Sequence, residues 1–99
     1  MQVAFLYLSR EDLIESGLLD FDAALKDVEN VLKMMARGEV VMPPKAVIEL
    51  PQPDGRQKGH LVSMPAYLKG LNVAGIKWAA GFYTNPTIGL PHGLDLVIL

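Results

Sequence analysis

The chain has 99 residues (10.8 kDa), 51% of them hydrophobic and 20% charged, with a net charge of −2 and no cysteine. That length holds one small domain and excludes a multidomain enzyme within these residues; the apolar content excludes a disordered segment, and the lack of cysteine excludes a disulfide framework, a thiolate zinc site and a cysteine nucleophile. Residues 1–39 carry four bases against eight acids and the remainder five bases against three, with no dense basic patch interleaved with aromatics, so nucleic acid is not an expected partner.

Residues 5–8 are a short apolar run and read as a strand. Ser9 with Asp12 three residues later has the spacing of a capping box, which predicts a short helix over 10–16. Gly17 stands where a left-handed C-cap belongs, and Asp20 offers an N-cap oxygen to a second helix. In that helix Phe21, Ala24, Leu25, Val28, Val31, Leu32 and Met35 fall on one stripe, and Gly38 ends it. Asp22 with Lys26 and Glu29 with Lys33 are acid-before-base pairs four apart on the opposite side.

From residue 40 the period shortens. Residues 40–42 and 46–50 read as strands broken by Pro43 and Pro44, and residues 51–59, with Pro53-Asp54-Gly55, read as a hairpin loop. Residues 60–68 and 73–80 are the two long strands, linked by 69–72, and Pro65 predicts an edge position or a bulge in the first. Residues 82–93, rich in Gly, Pro, Asn and Thr, read as an ordered loop, and 94–99 as a final apolar strand. Helices first and strands afterwards predict an α+β domain, N-terminal helices packed on a mixed, mostly antiparallel sheet. Scaling of surface with mass allows about 65% of the extended chain's surface to be buried, enough for one modest core. No apolar run reaches membrane-span length and no signal peptide leads the chain, so no membrane partner is expected and the cytoplasm is the expected compartment.

Lys77 is the first candidate for chemistry, because it stands mid-strand among apolar or small neighbours. Strand alternation places it with Val73, Gly75 and Ala79, opposite Ile76 and Trp78, so its face offers space beside the ammonium. A lysine held there loses hydration unless an anion pairs with it, and either state suits proton transfer or a grip on a carboxylate. The plainer reading is a lysine that reaches a sheet edge or pairs with Glu49 or Asp95. Lys45, aimed by Pro43 and Pro44, is a second cation for an anion site, or else a solvated surface lysine. His60 and His92 stand isolated, without an acid at ligand spacing, so no metal site is expected. The methionines read as core fillers. No G-x-G-x-x-G, G-x-x-x-x-G-K, G-x-S-x-G or H-E-x-x-H occurs.

Met42-Pro43-Pro44-Lys45, Met64-Pro65-Ala66-Tyr67, Gly75-Ile76-Lys77-Trp78 and Asn85-Pro86-Thr87-Ile88-Gly89-Leu90-Pro91, in this order and spacing, resemble the N-terminal region of the ornithine cyclodeaminase/mu-crystallin family. Tyr7-Leu8-Ser9-Arg10-Glu11-Asp12 matches as well, and the resemblance runs from about residue 5 to residue 99. It implies a substrate-binding and dimerisation domain that accompanies an NAD(P)-binding Rossmann domain in cyclodeaminases, alanine dehydrogenases and imine reductases. By the same resemblance Lys77 matches the active-site lysine that touches the substrate carboxylate and assists proton transfer. Lys45 matches a position where many members carry a carboxylate-binding arginine, and Asn85 lies in the loop bordering the substrate pocket. The family's glycine-rich cofactor domain has no counterpart in these 99 residues, so the resemblance implies one part of a longer two-domain enzyme, with cofactor residues unassigned and neither NAD(H) nor NADP(H) expected to bind this chain alone. It further implies a homodimer through the sheet and a small amino-acid or imino-acid carboxylate as ligand. The other reading is a stand-alone, non-catalytic module that binds a small carboxylate or forms homo-oligomers.

Overall fold

A computed structural model describes residues 1–54 and 57–99, Gln57 by its backbone alone. It has the expected α+β class: helices α1 (Arg10–Glu15) and α2 (Phe21–Ala36) precede strands β1 (Val40–Val41), β2 (Ala46–Pro51), β3 (Gln57–Leu68), β4 (Val73–Phe82) and β5 (Gly93–Ile98). The chain divides into two compact units, residues 1–33 and 34–99.

In the first unit α1 is set by its capping box. The Ser9 hydroxyl accepts from the Asp12 N–H at 3.1 Å, and the Asp12 carboxylate accepts from the Ser9 N–H and hydroxyl, both at 2.9 Å. Two orphan donors of the first turn are thereby satisfied. Those hydrogen bonds, the one from the Ser9 N–H foremost, hold the Asp12 carboxyl below the usual carboxylate range. Asp20 caps α2 through its carboxylate, which accepts from the Ala23 N–H at 3.0 Å. Glu29 and Lys33 pair at 3.1 Å on the helix surface. Residues 5–8 are not the expected strand: they pair with nothing among the described residues, and Phe5 is 91% exposed. An apolar run becomes a strand only where another strand takes up its backbone N–H and C=O groups.

In the second unit the last turn of α2 leads into Gly38, whose φ of +73° is the left-handed conformation that ends a helix. Arg37 grips Glu39 with two hydrogen bonds of 3.0 and 2.9 Å, which raise the Arg37 pKa and lower that of Glu39. The Glu39 carbonyl accepts from the Lys69 N–H at 2.8 Å and so ties this turn to the end of β3. Met34, the one buried hydrophobic side chain among the described residues, lies against Gly70, where an added Cβ would stand 3.1 Å from its Cε.

The sheet runs β1-β3-β4-β5, with β2 also on β3, and each of its pairings is antiparallel. β3 is therefore interior, yet Pro65 is accommodated. β1 ends opposite Tyr67 and β2 begins opposite Ser63, so on that flank residues 64–66 have no ladder partner. Pro65 sits at a local edge, where a residue without an N–H is tolerated. The expected hairpin loop is shorter than 51–59, since β2 runs through Pro51 and β3 starts at Gln57; Gly55 and Arg56 of that loop lie outside the described residues. Between β3 and β4 a single 3₁₀ turn (Lys69–Leu71) and Asn72, at φ +50°, reverse the chain.

The modest core expected from composition does not form among the described side chains of this chain. Register assigns Leu61, Ile76, Trp78, Leu94, Leu96 and Ile98 to one face of the sheet. All six are exposed, Trp78 at 58% and Leu94 at 78%. No helix among the described residues is long and apolar enough to cross a membrane.

Candidate functional site

The opposite face of the sheet carries the charges. Directly paired residues point to the same side, so Val62, Met64, Gly75, Lys77, Ala79, Asp95 and Val97 share it. Lys77 has Gly75 and Ala79 as its same-face neighbours along β4, and neither presents more than a methyl group. Asp95, opposite Ala79 on β5, reaches diagonally to Lys77, with Nζ and Oδ2 3.2 Å apart. The two side chains are 47% and 56% exposed. Of the two acids considered as partners from sequence, Asp95 is the one that pairs. On the Gly75 side of Lys77 an open depression of about 230 Å³ is lined by Met64, Ala66, Gly75, Lys77 and Val97. The arrangement offers one cation, one anion and an apolar hollow, the chemistry that a small zwitterion or carboxylate with a short side chain requires.

Lys45 lies one residue before β2, whose first pair is Ala46 with Ser63. That ladder does not extend to Lys45, which stands between Pro44 and β2. Lys45 is exposed. Asn85 opens the 3₁₀ turn Asn85–Ile88 beyond the end of β4. Its amide donates to the Pro91 carbonyl at 2.9 Å and its own carbonyl accepts from the Leu90 N–H at 3.0 Å, so Asn85 closes the 85–91 loop on itself. The structure thus places Lys77 mid-sheet beside Asp95, leaves Lys45 at the entry to β2 and gives Asn85 a loop-closing bond.

One grouping was hidden in the sequence. His60, Tyr83 and His92, from β3 and from the two ends of the β4–β5 connection, gather around Gly81. His60 and Gly81 are register partners, and the Phe82 N–H bonds the His92 carbonyl at 2.7 Å, which brings the loop histidine back to the sheet. No spacing along the chain announces this, because register and loop closure together create it. No group of three or more His, Cys, Asp or Glu side chains is assembled for a metal among the described residues.

The sequence profile of the ornithine cyclodeaminase/mu-crystallin family matches residues 7–99. Among curated proteins, the chain is similar to an alanine dehydrogenase of Archaeoglobus fulgidus, 39% identical over 94 residues that make up 95% of this chain and 26% of the relative. It is also similar to an uncharacterized cyclodeaminase of Sinorhizobium fredii, 38% identical over 93% of this chain and 27% of the relative. A third, a putative dehydrogenase of Rhizobium meliloti, is 32% identical over 84% of this chain and 24% of the relative. The chain therefore spans about a quarter of the length of the curated relatives it matches. No solved structure gives a significant match. With a family profile covering nearly all of its residues, the chain belongs to the ornithine cyclodeaminase/mu-crystallin family.

Proposed function

We propose that the chain is the substrate-binding part of an NAD(P)-dependent amino-acid enzyme that cyclodeaminates, oxidises or reduces a small amino or imino acid. The observation that carries this reading is Lys77, a lysine that stands mid-sheet between Gly75 and Ala79, lines an open hollow and pairs with Asp95. In this reading Lys77 binds the substrate carboxylate and passes a proton at Nζ. Lys45 adds a second positive charge from the entry to β2; it is a point charge without the planar fork of a guanidinium, so it steers more than it orients. Asn85 borders the site through the loop it closes.

The dinucleotide is not assigned to these residues. In dinucleotide-binding folds the pyrophosphate sits where a strand, a glycine-rich turn and a helix N-terminus follow one another, a succession that the described elements do not contain. The reading therefore places the chain within a longer protein that supplies the hydride acceptor or donor, and it assigns no turnover to the 99 residues alone. The exposed apolar face supports a second copy as its cover, each side chain contributing about 1.5–3 kcal/mol when fully buried.

The test is Lys77→Ala in the full-length protein. Turnover is expected to fall by about 10²–10⁴-fold, the range of a lost general acid or base, with the dimer intact by sedimentation. Retained turnover would remove Lys77 from the chemistry. The same exposed face favours a second reading, a stand-alone oligomerisation module that binds a small carboxylate without turnover. Blotting the source cells with an antibody to these residues separates the two: a band several-fold above 10.8 kDa supports the enzyme, and a band at that mass supports the module.

A further inference from the structure

At one end of the sheet a row of side chains takes no part in that reading. Glu49, His60, Gly81 and Gly93 are consecutive register partners across β2, β3, β4 and β5, so they share the Lys77 face. Two of the four are glycines, which leaves the floor of the row bare. A Cβ placed on Gly81 would stand 2.9 Å from His60 Cε1, 3.1 Å from His60 Nε2 and 3.4 Å from His92 Nε2. Ring nitrogens from two distant stretches of chain thus converge on a single point above the backbone. The Tyr83 hydroxyl lies 3.3 Å from His60 Nδ1, and the Tyr83 ring stacks at a tilt on both imidazoles, with centroids 5.9 Å from His60 and 5.5 Å from His92.

We propose that His60 and His92 are the protein ligands of a divalent transition-metal site, of the zinc or nickel class, seated above Gly81 where any other residue would place its side chain. Imidazole nitrogen suits these borderline ions and binds them at about 2.0–2.1 Å. One ion bridging two such nitrogens holds them roughly 3 Å apart, a separation available to two atoms that each approach the same point this closely. Tyr83 supplies what a histidine ligand needs behind it. When Nδ1–H donates to the Tyr83 oxygen, the His60 lone pair is on Nε2, the nitrogen facing the glycine. Glu49 stands directly opposite His60, with Cβ atoms about 4.5–5.5 Å apart for such a pair, and its exposed carboxylate can turn toward the ion. Since no third donor is already assembled among the described residues, water completes the coordination and the site is open to an exogenous ligand.

Calorimetric titration of zinc chloride into the full-length protein at about pH 7.5 tests the site together with long-range ¹H–¹⁵N spectra of the histidines. One equivalent is expected to bind and to shift the Nε2 resonances of both His60 and His92. His92→Ala, which keeps the backbone bond to Phe82, is expected to weaken binding at least tenfold, and Tyr83→Phe about tenfold, as for other lost supports of a histidine ligand. Gly81→Ala keeps both imidazoles but fills the space between them, so it is expected to weaken binding as much as His92→Ala does. Binding that neither Gly81→Ala nor His92→Ala changes is an adventitious ion on a surface histidine and overturns the proposal, as does a shift at one histidine alone. If circular dichroism shows Gly81→Ala misfolded, His92→Ala and the paired Nε2 shifts decide.

Discussion

In the proposed reading Lys77 meets a substrate carboxylate only in competition with Asp95, which already holds its ammonium at 3.2 Å. Both side chains are about half exposed, and an ion pair in that setting is worth about 0–1 kcal/mol, too little to close the site. Asp95→Asn in the full-length protein is therefore expected to lower the KM for an anionic substrate by no more than about fivefold. A larger drop would mean that Asp95 blocks Lys77, and a rise in KM would mean that Asp95 itself binds the substrate, through an ammonium group. Asp12 belongs to the same scale and gives a pH dependence. Its carboxylate is favoured in the folded state by the hydrogen bonds from Ser9. A carboxyl with a depressed folded pKa contributes above its unfolded pKa and loses that contribution as pH falls through the folded one. Helix α1 is thus expected to keep its Ser9 cap at neutral pH and to fray only in acid, below about pH 4. The Ser9 amide shift reports the titration, and Asp12→Asn is expected to flatten it.

The elements show what local chemistry decides and what it leaves to partners. Asp20, the stripe from Phe21 to Met35 and Gly38 are all local signals, and α2 lies where they place it. Asp20→Ala is expected to cost about 1 kcal/mol of helix stability, visible as faster amide exchange in the first turn of α2. Residues 5–8 have strand composition and no strand, since pairing is a property of two segments and a sequence shows them one at a time. Pro65 was legible as an anomaly, but its accommodation depends on where β1 stops and β2 starts, which no residue of β3 announces. Lys77 could be placed on its face by alternation alone. The convergence of His60 with His92 could not, because it needs the β3–β4 register and the return of the 83–92 connection together. Gly93 is a plainer case of close approach, since a Cβ there would stand 2.4 Å from the Ala80 carbonyl oxygen. That neighbour is backbone and cannot turn aside, so Gly93→Ala is expected to cost about 1–3 kcal/mol, measured as a lower denaturant midpoint.

Across the whole molecule the apolar face is the dominant fact. Leu61, Trp78, Leu94 and Leu96 border a second hollow, of about 310 Å³, on the face opposite Lys77. Exposed apolar surface of this kind marks a contact with another molecule, and the proposed occupant is a second copy. Sedimentation of the unmodified protein is expected to show a dimer. Leu96→Asp, which puts an unpaired charge into that contact, is expected to weaken it more than a hundredfold, since burying such a charge costs several kcal/mol. A monomeric unmodified protein would leave the face to some other cover.

The strand order also governs how fast the sheet can assemble. From β2 onward each strand pairs with its immediate successor, and ten rows of the β3–β4 ladder close around the short turn that ends at Asn72. Contacts made close along the sequence lose little loop entropy, and β-hairpins form in about 1–10 μs. The β3–β4 hairpin is therefore positioned to nucleate, with β2 and β5 adding from either side. The β3–β4 amides should be the first to gain protection in pulsed hydrogen exchange.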